Sequence, residues 1–136
     1  MVPAQINFWA VFVTAVIALV IGAVWYSPKV FLKQWRSLIN QPDVKFTAAA
    51  SARLYFKLFV AFVVMTYVLA HFIDYVGATT IAEGLATGVW VWLGFVATSM
   101  FTNISSEVRP LKLWLINAGY QLVVLAVAGA ILAIWA

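Results

Sequence analysis

The chain has 136 residues, of which 66% are hydrophobic and 9% charged, so a single domain is expected, with no room for a soluble domain beside long apolar segments. The absence of cysteine excludes disulfides, thiol catalysis and thiolate metal sites. A formal net charge of +4 does not indicate nucleic acid here, because the cations flank apolar stretches and form no basic stripe on a soluble fold.

Four apolar stretches run from Phe8 to Tyr26, Leu58 to Val76, Gly84 to Thr102 and Leu113 to Trp135. Each is near the ~20 residues an α-helix needs to cross ~30 Å of hydrocarbon, which predicts an all-α integral membrane protein with four transmembrane helices. No basic region precedes the first stretch and its apolar run is too long for a signal peptide, so it is expected to stay in the mature protein. Asn7, Val11, Thr14, Ala18, Gly22 and Trp25 share one face of it. It should end at Trp25-Tyr26-Ser27-Pro28, where two interface-seeking aromatics precede a proline that cannot donate to the helix ladder. From Val30 to Asn40 the spacing of Phe31, Trp35, Leu38 and Ile39 predicts a short amphipathic helix lying in the membrane surface, with Trp35 as a further anchor. The alternative is a helix packed on a partner's soluble domain. Gln41-Pro42-Asp43 reads as a turn, the alanine-rich stretch from Phe46 to Arg53 as a cytoplasmic extension of the second helix, and Lys57 as a side chain snorkelling to the headgroups.

Gly77 is placed as a helix C-cap, and Thr80-Ile81-Ala82-Glu83 fits a capping box, so the second and third helices should form a tight antiparallel hairpin. Along the third helix Thr87, Val91, Gly94, Thr98 and Thr102 share a face, with Gly84-x-x-x-Gly88 adjoining it. Glu107 and Arg109 read as a solvated pair, or as a link to the basic first loop, and Pro110 falls near the first position of the fourth helix. That helix places Asn117, Gln121, Val124 and Ala128 on one face, beside a small-residue patch of Ala126, Gly129, Ala130 and Ala133.

Six cations (Lys29, Lys33, Arg36, Lys45, Arg53, Lys57) lie between the first and second stretches, and two (Arg109, Lys112) between the third and fourth. The positive-inside bias puts both connections in the cytoplasm and both termini outside. Anionic lipid headgroups are the expected partner of these cations, at about 1 kcal/mol each near the surface.

Helices in lipid associate through small residues and polar contacts, so Gly22, Thr87, Gly94, Thr98, Thr102, Asn117 and Gln121 are candidates either for helix packing or for lining a solute path. His71 and Asp74 share a helical face, and Glu83 begins the next helix, so the three could converge as a metal or proton-relay site. Against this, Glu83 is explained as a cap, Asp74 by its place at the water interface, and His71 by local hydrogen bonding. Enzyme templates fail: no Ser-His-Asp arrangement, zinc-binding His-Glu-x-x-His helix, phosphate loop or intramembrane carboxylate pair is present. No catalytic residue and no cofactor are expected.

Asn7-Phe8-Trp9, then Gly22-Ala23-Val24-Trp25-Tyr26-Ser27-Pro28, Trp92-Leu93-Gly94-Phe95 and the run from Arg109 to Gln121 resemble the uncharacterised bacterial membrane family called domain of unknown function 1761. The resemblance covers nearly the whole chain, and Gly-x-x-Trp-Tyr-Ser-Pro is its most specific part. It implies a small four-helix protein of the bacterial inner membrane and brings no activity, cofactor or catalytic residue. Two functions remain open: a non-enzymatic accessory protein that self-associates or binds a membrane-protein partner through the small-residue faces of helices three and four, or an oligomeric channel or carrier for a small uncharged solute.

Overall fold

The computed structural model describes residues 6–39 and 48–135. The turn expected at Gln41-Pro42-Asp43, together with Asn40, Lys45 and Phe46, lies outside the described residues. Every regular element among those described is helical, and four helices are long and apolar enough to cross a membrane.

Helix α1 runs Phe8–Trp25. The side chain of Asn7 starts it by accepting from the amides of Trp9 and Ala10, at 3.1 and 3.3 Å, where an asparagine cap is worth about 1 kcal/mol. Asn7 is thus a cap rather than the first member of an interior stripe. After Tyr26 the chain turns through Ser27 and Pro28 into the short helix α2, Leu32–Leu38. Helix α3 (Ala48–Val76) ends in a Schellman motif: Gly77 takes φ +77°, its amide donates to Asp74 O, and Ala78 N donates to Ile73 O. Helix α4 (Ile81–Val91) begins at the expected capping box, with Glu83 N on Thr80 Oγ1 at 3.2 Å and Thr80 N on Glu83 Oε2 at 3.3 Å.

The third long helix is continuous from Ile81 to Ser106 but not regular. A π-helical segment at Trp92–Ala97 joins α4 to α5, Thr98–Ser106. Helix α5 closes in a second Schellman pattern whose left-handed position holds Val108, at φ +54°. Pro110 occupies the cap position of helix α6 (Leu111–Ile134), one residue before the first helical position.

Helix α6 is the hub. Its most apolar window is 44% buried, against 28% for α1 and α3 and 22% for the third long helix, because the other three all pack on it. The buried residues Ala10, Val11, Leu69, Ile73, Leu125, Ala128 and Leu132 form one half of the core, and Ala15, Ala18, Phe62, Tyr120 and Val124 the other. The two buried threonine hydroxyls find acceptors within their own helices, Thr14 at Ala10 O at 2.6 Å and Thr66 at Phe62 O at 2.8 Å, and Thr66 also lies 3.3 Å from Val11 O on α1. On its opposite side α6 meets α4 backbone to backbone. A Cβ on Gly84 would fall on the carbonyl of Gly129, one on Gly88 on the carbonyl of Leu125, and one on Gly129 on the carbonyl of Gly84. This is the close approach that small residues permit between helices in lipid.

The pairings make α6 antiparallel to α1 and α4 and parallel to α3. One end of the bundle therefore gathers the start of α1, the α3–α4 turn and the end of α6, with Asp74 and Glu83 among its side chains. The described Lys and Arg residues all lie toward the other end.

Candidate functional site

Near the basic end, five aromatic donors tie the helices to one another. Trp25 Nε1 donates to Ile116 O at 3.0 Å, Trp92 Nε1 to Ala118 O at 2.8 Å, and Trp114 Nε1 to Ala97 O at 3.0 Å. Tyr120 Oη donates to Ala18 O at 2.7 Å, and Tyr26 Oη to Asn117 Oδ1 at 2.7 Å. The rings meet as well, Tyr26 edge to face with both Trp35 and Tyr120 at a centroid distance of 5.4 Å and Trp25 tilted against Phe31 at 5.0 Å. Trp25 and Tyr26 are thereby held to α6 by directed bonds, and Gly22 lies beneath the Tyr120 hydroxyl, 2.6 Å from where a Cβ would stand. Sequence reasoning missed Trp92, Trp114 and Tyr120 as helix-to-helix donors. The available signal was that an indole N–H or phenol within an apolar helix needs an acceptor.

Asn117 and Gln121 share a helical face but not a role. The Asn117 carbonyl accepts from Tyr26, whereas Gln121 Oε1 is buried and has no hydrogen-bond partner among the described residues.

The stripe expected to face inward on the third helix does so only as far as Val91, which packs against the core. Thr98 and Thr102 are exposed, and a Cβ on Gly94 would meet nothing within 4 Å. The inward set is Gly84, Gly88 and Trp92, then Ala97 and Ile104, with a step of five across the π-helical segment. A regular 3.6-residue repeat cannot anticipate such a slip, which turns everything after it by about 100° relative to an unbroken α-helix. The threonines serve the backbone instead. Thr98 Oγ1 donates to Gly94 O at 2.8 Å and Ser99 Oγ to Phe95 O at 2.6 Å, supplying donors to carbonyls where the ladder is irregular, and Thr102 donates to Ser99 O at 2.8 Å. Thr87, part-exposed, bonds Glu83 O at 2.8 Å.

His71, Asp74 and Glu83 are not drawn together, and among the described residues no group of three His, Asp or Glu side chains could hold a metal ion. His71 Nδ1 lies 3.0 Å from Tyr67 O, with its ring between those of Tyr67 and Tyr75 at 4.6 and 6.0 Å. Glu83 is held in its cap, where the Thr79 amide also donates to it at 2.8 Å. Asp74 stands apart, in a pocket of 130 Å³ at the acidic end lined by Asn7, Ala10, Ile73, Thr79, Leu132 and Trp135 among others. Glu107 and Arg109 form an exposed pair at 2.9 Å, as the solvated reading expected.

A family model described as a protein of unknown function, DUF1761, matches residues 9–133. No curated protein and no solved structure matches the chain. The matched region takes in all four long helices, the aromatic donors and the glycine seam, and the chain therefore belongs to the DUF1761 family.

Proposed function

We propose that the chain is a multi-pass membrane protein of the bacterial inner membrane that acts without catalysis, as an accessory protein associating laterally with a second copy or another membrane protein. The observation that carries this reading is the placement of its small and polar residues. The Gly84–Gly88 and Gly129 faces, which the sequence offered as association surfaces, are closed on each other within one chain. Gly94, Thr98 and Thr102 lie on the outside, on a helical segment that rests chiefly on α6. The contact between copies is accordingly assigned to the π-helical segment and α5. Helix α2 lies in the cytoplasmic membrane surface, with Lys33 in the anionic headgroups. In support, Phe31 and Trp35 point back to Trp25 and Tyr26 while Lys33 and Gln34 are exposed.

The test is oligomer size in lipid discs. Gly94→Leu should convert the assembly to monomer without lowering the melting temperature of the single chain, since an added side chain there meets nothing within 4 Å. An unchanged assembly removes this face from the proposal. A second reading, an oligomeric carrier for a small uncharged solute, is favoured by Gln121 Oε1, which is buried without a hydrogen-bond partner among the described residues. Solute flux in liposomes that is lost in Gln121→Leu with assembly intact would establish it over the first.

A further inference from the structure

We propose that the pocket at the acidic end binds an alkylammonium group, carried either by a lipid headgroup or by a small free amine. Three helices build this pocket: Asn7 and Ala10 from the start of α1, Ile73 and Asp74 from the end of α3, and Leu132 and Trp135 from the end of α6. Its volume of 130 Å³ approaches that of a cavity able to hold benzene, roughly 150 Å³, so it admits a group of about six heavy atoms.

Its lining offers one carboxylate, one indole, the Asn7 amide whose oxygen is taken up by the Trp9 and Ala10 amides, the Thr79 hydroxyl turned to Glu83, and apolar walls from Ala10, Ala70, Ile73 and Leu132. The Asp74 carboxylate makes no hydrogen bond or ion pair among the described residues, and no described Lys or Arg lies at this end of the bundle. Asp74 is exposed, so its carboxylate is open to a guest entering from outside. Asp74 sits in the last turn of α3, where the negative end of the helix dipole opposes it, and only its backbone carbonyl takes part in the Schellman turn. The other carboxylate of this end, Glu83, is held by the amides of Thr79 and Thr80 and is not free to receive a ligand.

These properties select the guest. An anion is repelled by Asp74. A divalent metal lacks a second carboxylate or imidazole, since His71 is turned to Tyr67 O and Glu83 to its cap. A neutral guest makes no use of the exposed Asp74 carboxylate. An ammonium satisfies it, presents its remaining surface to the Trp135 ring, and rests its methylenes on Ala10, Ile73 and Leu132. The lipid source depends on the membrane-spanning reading, in which this end lies at headgroup level; the free-amine source does not.

The experiment uses the full chain in detergent, offered an equimolar mixture of phosphatidylethanolamine and phosphatidylglycerol, with retained lipid counted by native mass spectrometry. A parallel titration with free ethanolamine is followed by saturation-transfer NMR. The wild type should retain phosphatidylethanolamine about fivefold over phosphatidylglycerol, or show a saturable ethanolamine signal, with contributions from the ion pair and the ring face. Asp74→Asn should abolish the effect with the melting temperature kept or raised, Asp74→Glu should retain it, and Trp135→Leu should weaken it independently of the carboxylate. Glu83→Gln, which can still cap α4, should leave it unchanged. A lipid preference without an ethanolamine signal assigns the headgroup, and an ethanolamine signal without a lipid preference assigns the free amine. Absence of both in the wild type, persistence in Asp74→Asn, or an equal loss in Glu83→Gln overturns the site.

Discussion

Val108 is a β-branched residue held at φ +54°, and its side chain is 90% exposed, so no packing requires it. Glycine removes the clash that a left-handed backbone imposes on a branched side chain, offset by the extra freedom it gives the unfolded chain. Val108→Gly should therefore stabilise the protein by about 0.5–1 kcal/mol, seen as a higher melting temperature in detergent. The amides of α6 respond oppositely to substitution. Asn117→Leu leaves the Tyr26 hydroxyl without its acceptor and should cost about 1 kcal/mol, whereas Gln121→Leu removes a buried oxygen with no described partner and should be neutral or stabilising. Equal melting temperatures for the two single variants would contradict that division. From the sequence the pair looked alike, because periodicity reports a shared face and cannot report that Tyr26, 91 residues away, reaches only one of them.

At the scale of elements, helix ends were the most legible part of the chain. The Thr80–Glu83 box and Gly77 are local chemistry, decided within a few residues, and both stand where their types predicted. The interior face of the third helix was not legible past Val91, because the π-helical segment answers to the fit between Ala97 and Trp114 on a different helix. A π segment of this kind carries one residue more than the α-helix would. Deleting Gly94, where an added Cβ would meet nothing within 4 Å, should restore a regular ladder while keeping the Gly84 and Gly88 seam and the Trp114 bond in place. Deleting Val89 removes a residue from the regular part and turns one half by about 100°, so it should abolish folding. Thermal melts of the two deletions, together with tryptophan emission, make the comparison.

For the whole molecule, span number and charge asymmetry were readable from the order of residues along the chain, since length and hydropathy are properties of segments. The hub was not, since all four segments are comparably apolar and only their mutual packing ranks them. The candidate pocket was equally hidden: Asp74 was visible, but its grouping with Asn7 and Trp135 depends on three helix ends meeting. Orientation is open to direct measurement. With the basic connections inside, cysteines placed at Thr79 and Trp135 should react with an impermeant thiol reagent on intact cells, and one at Ser37 should not. The reverse pattern would turn the molecule over and move the pocket to the cytoplasmic side.

The position of the hub along the chain governs how the molecule can be made. Helix α6 follows the three long helices that it joins, so as the polypeptide leaves the ribosome its earlier segments have no common partner until the final stretch emerges. Helices α1 and α3 can pair on the way, but α4 has its main surface, the glycines at 84 and 88, turned toward a helix not yet synthesised. The α4 seam therefore closes only once α6 is present, and a chain ending before residue 111 leaves the Gly84 and Gly88 face of its third long helix uncovered.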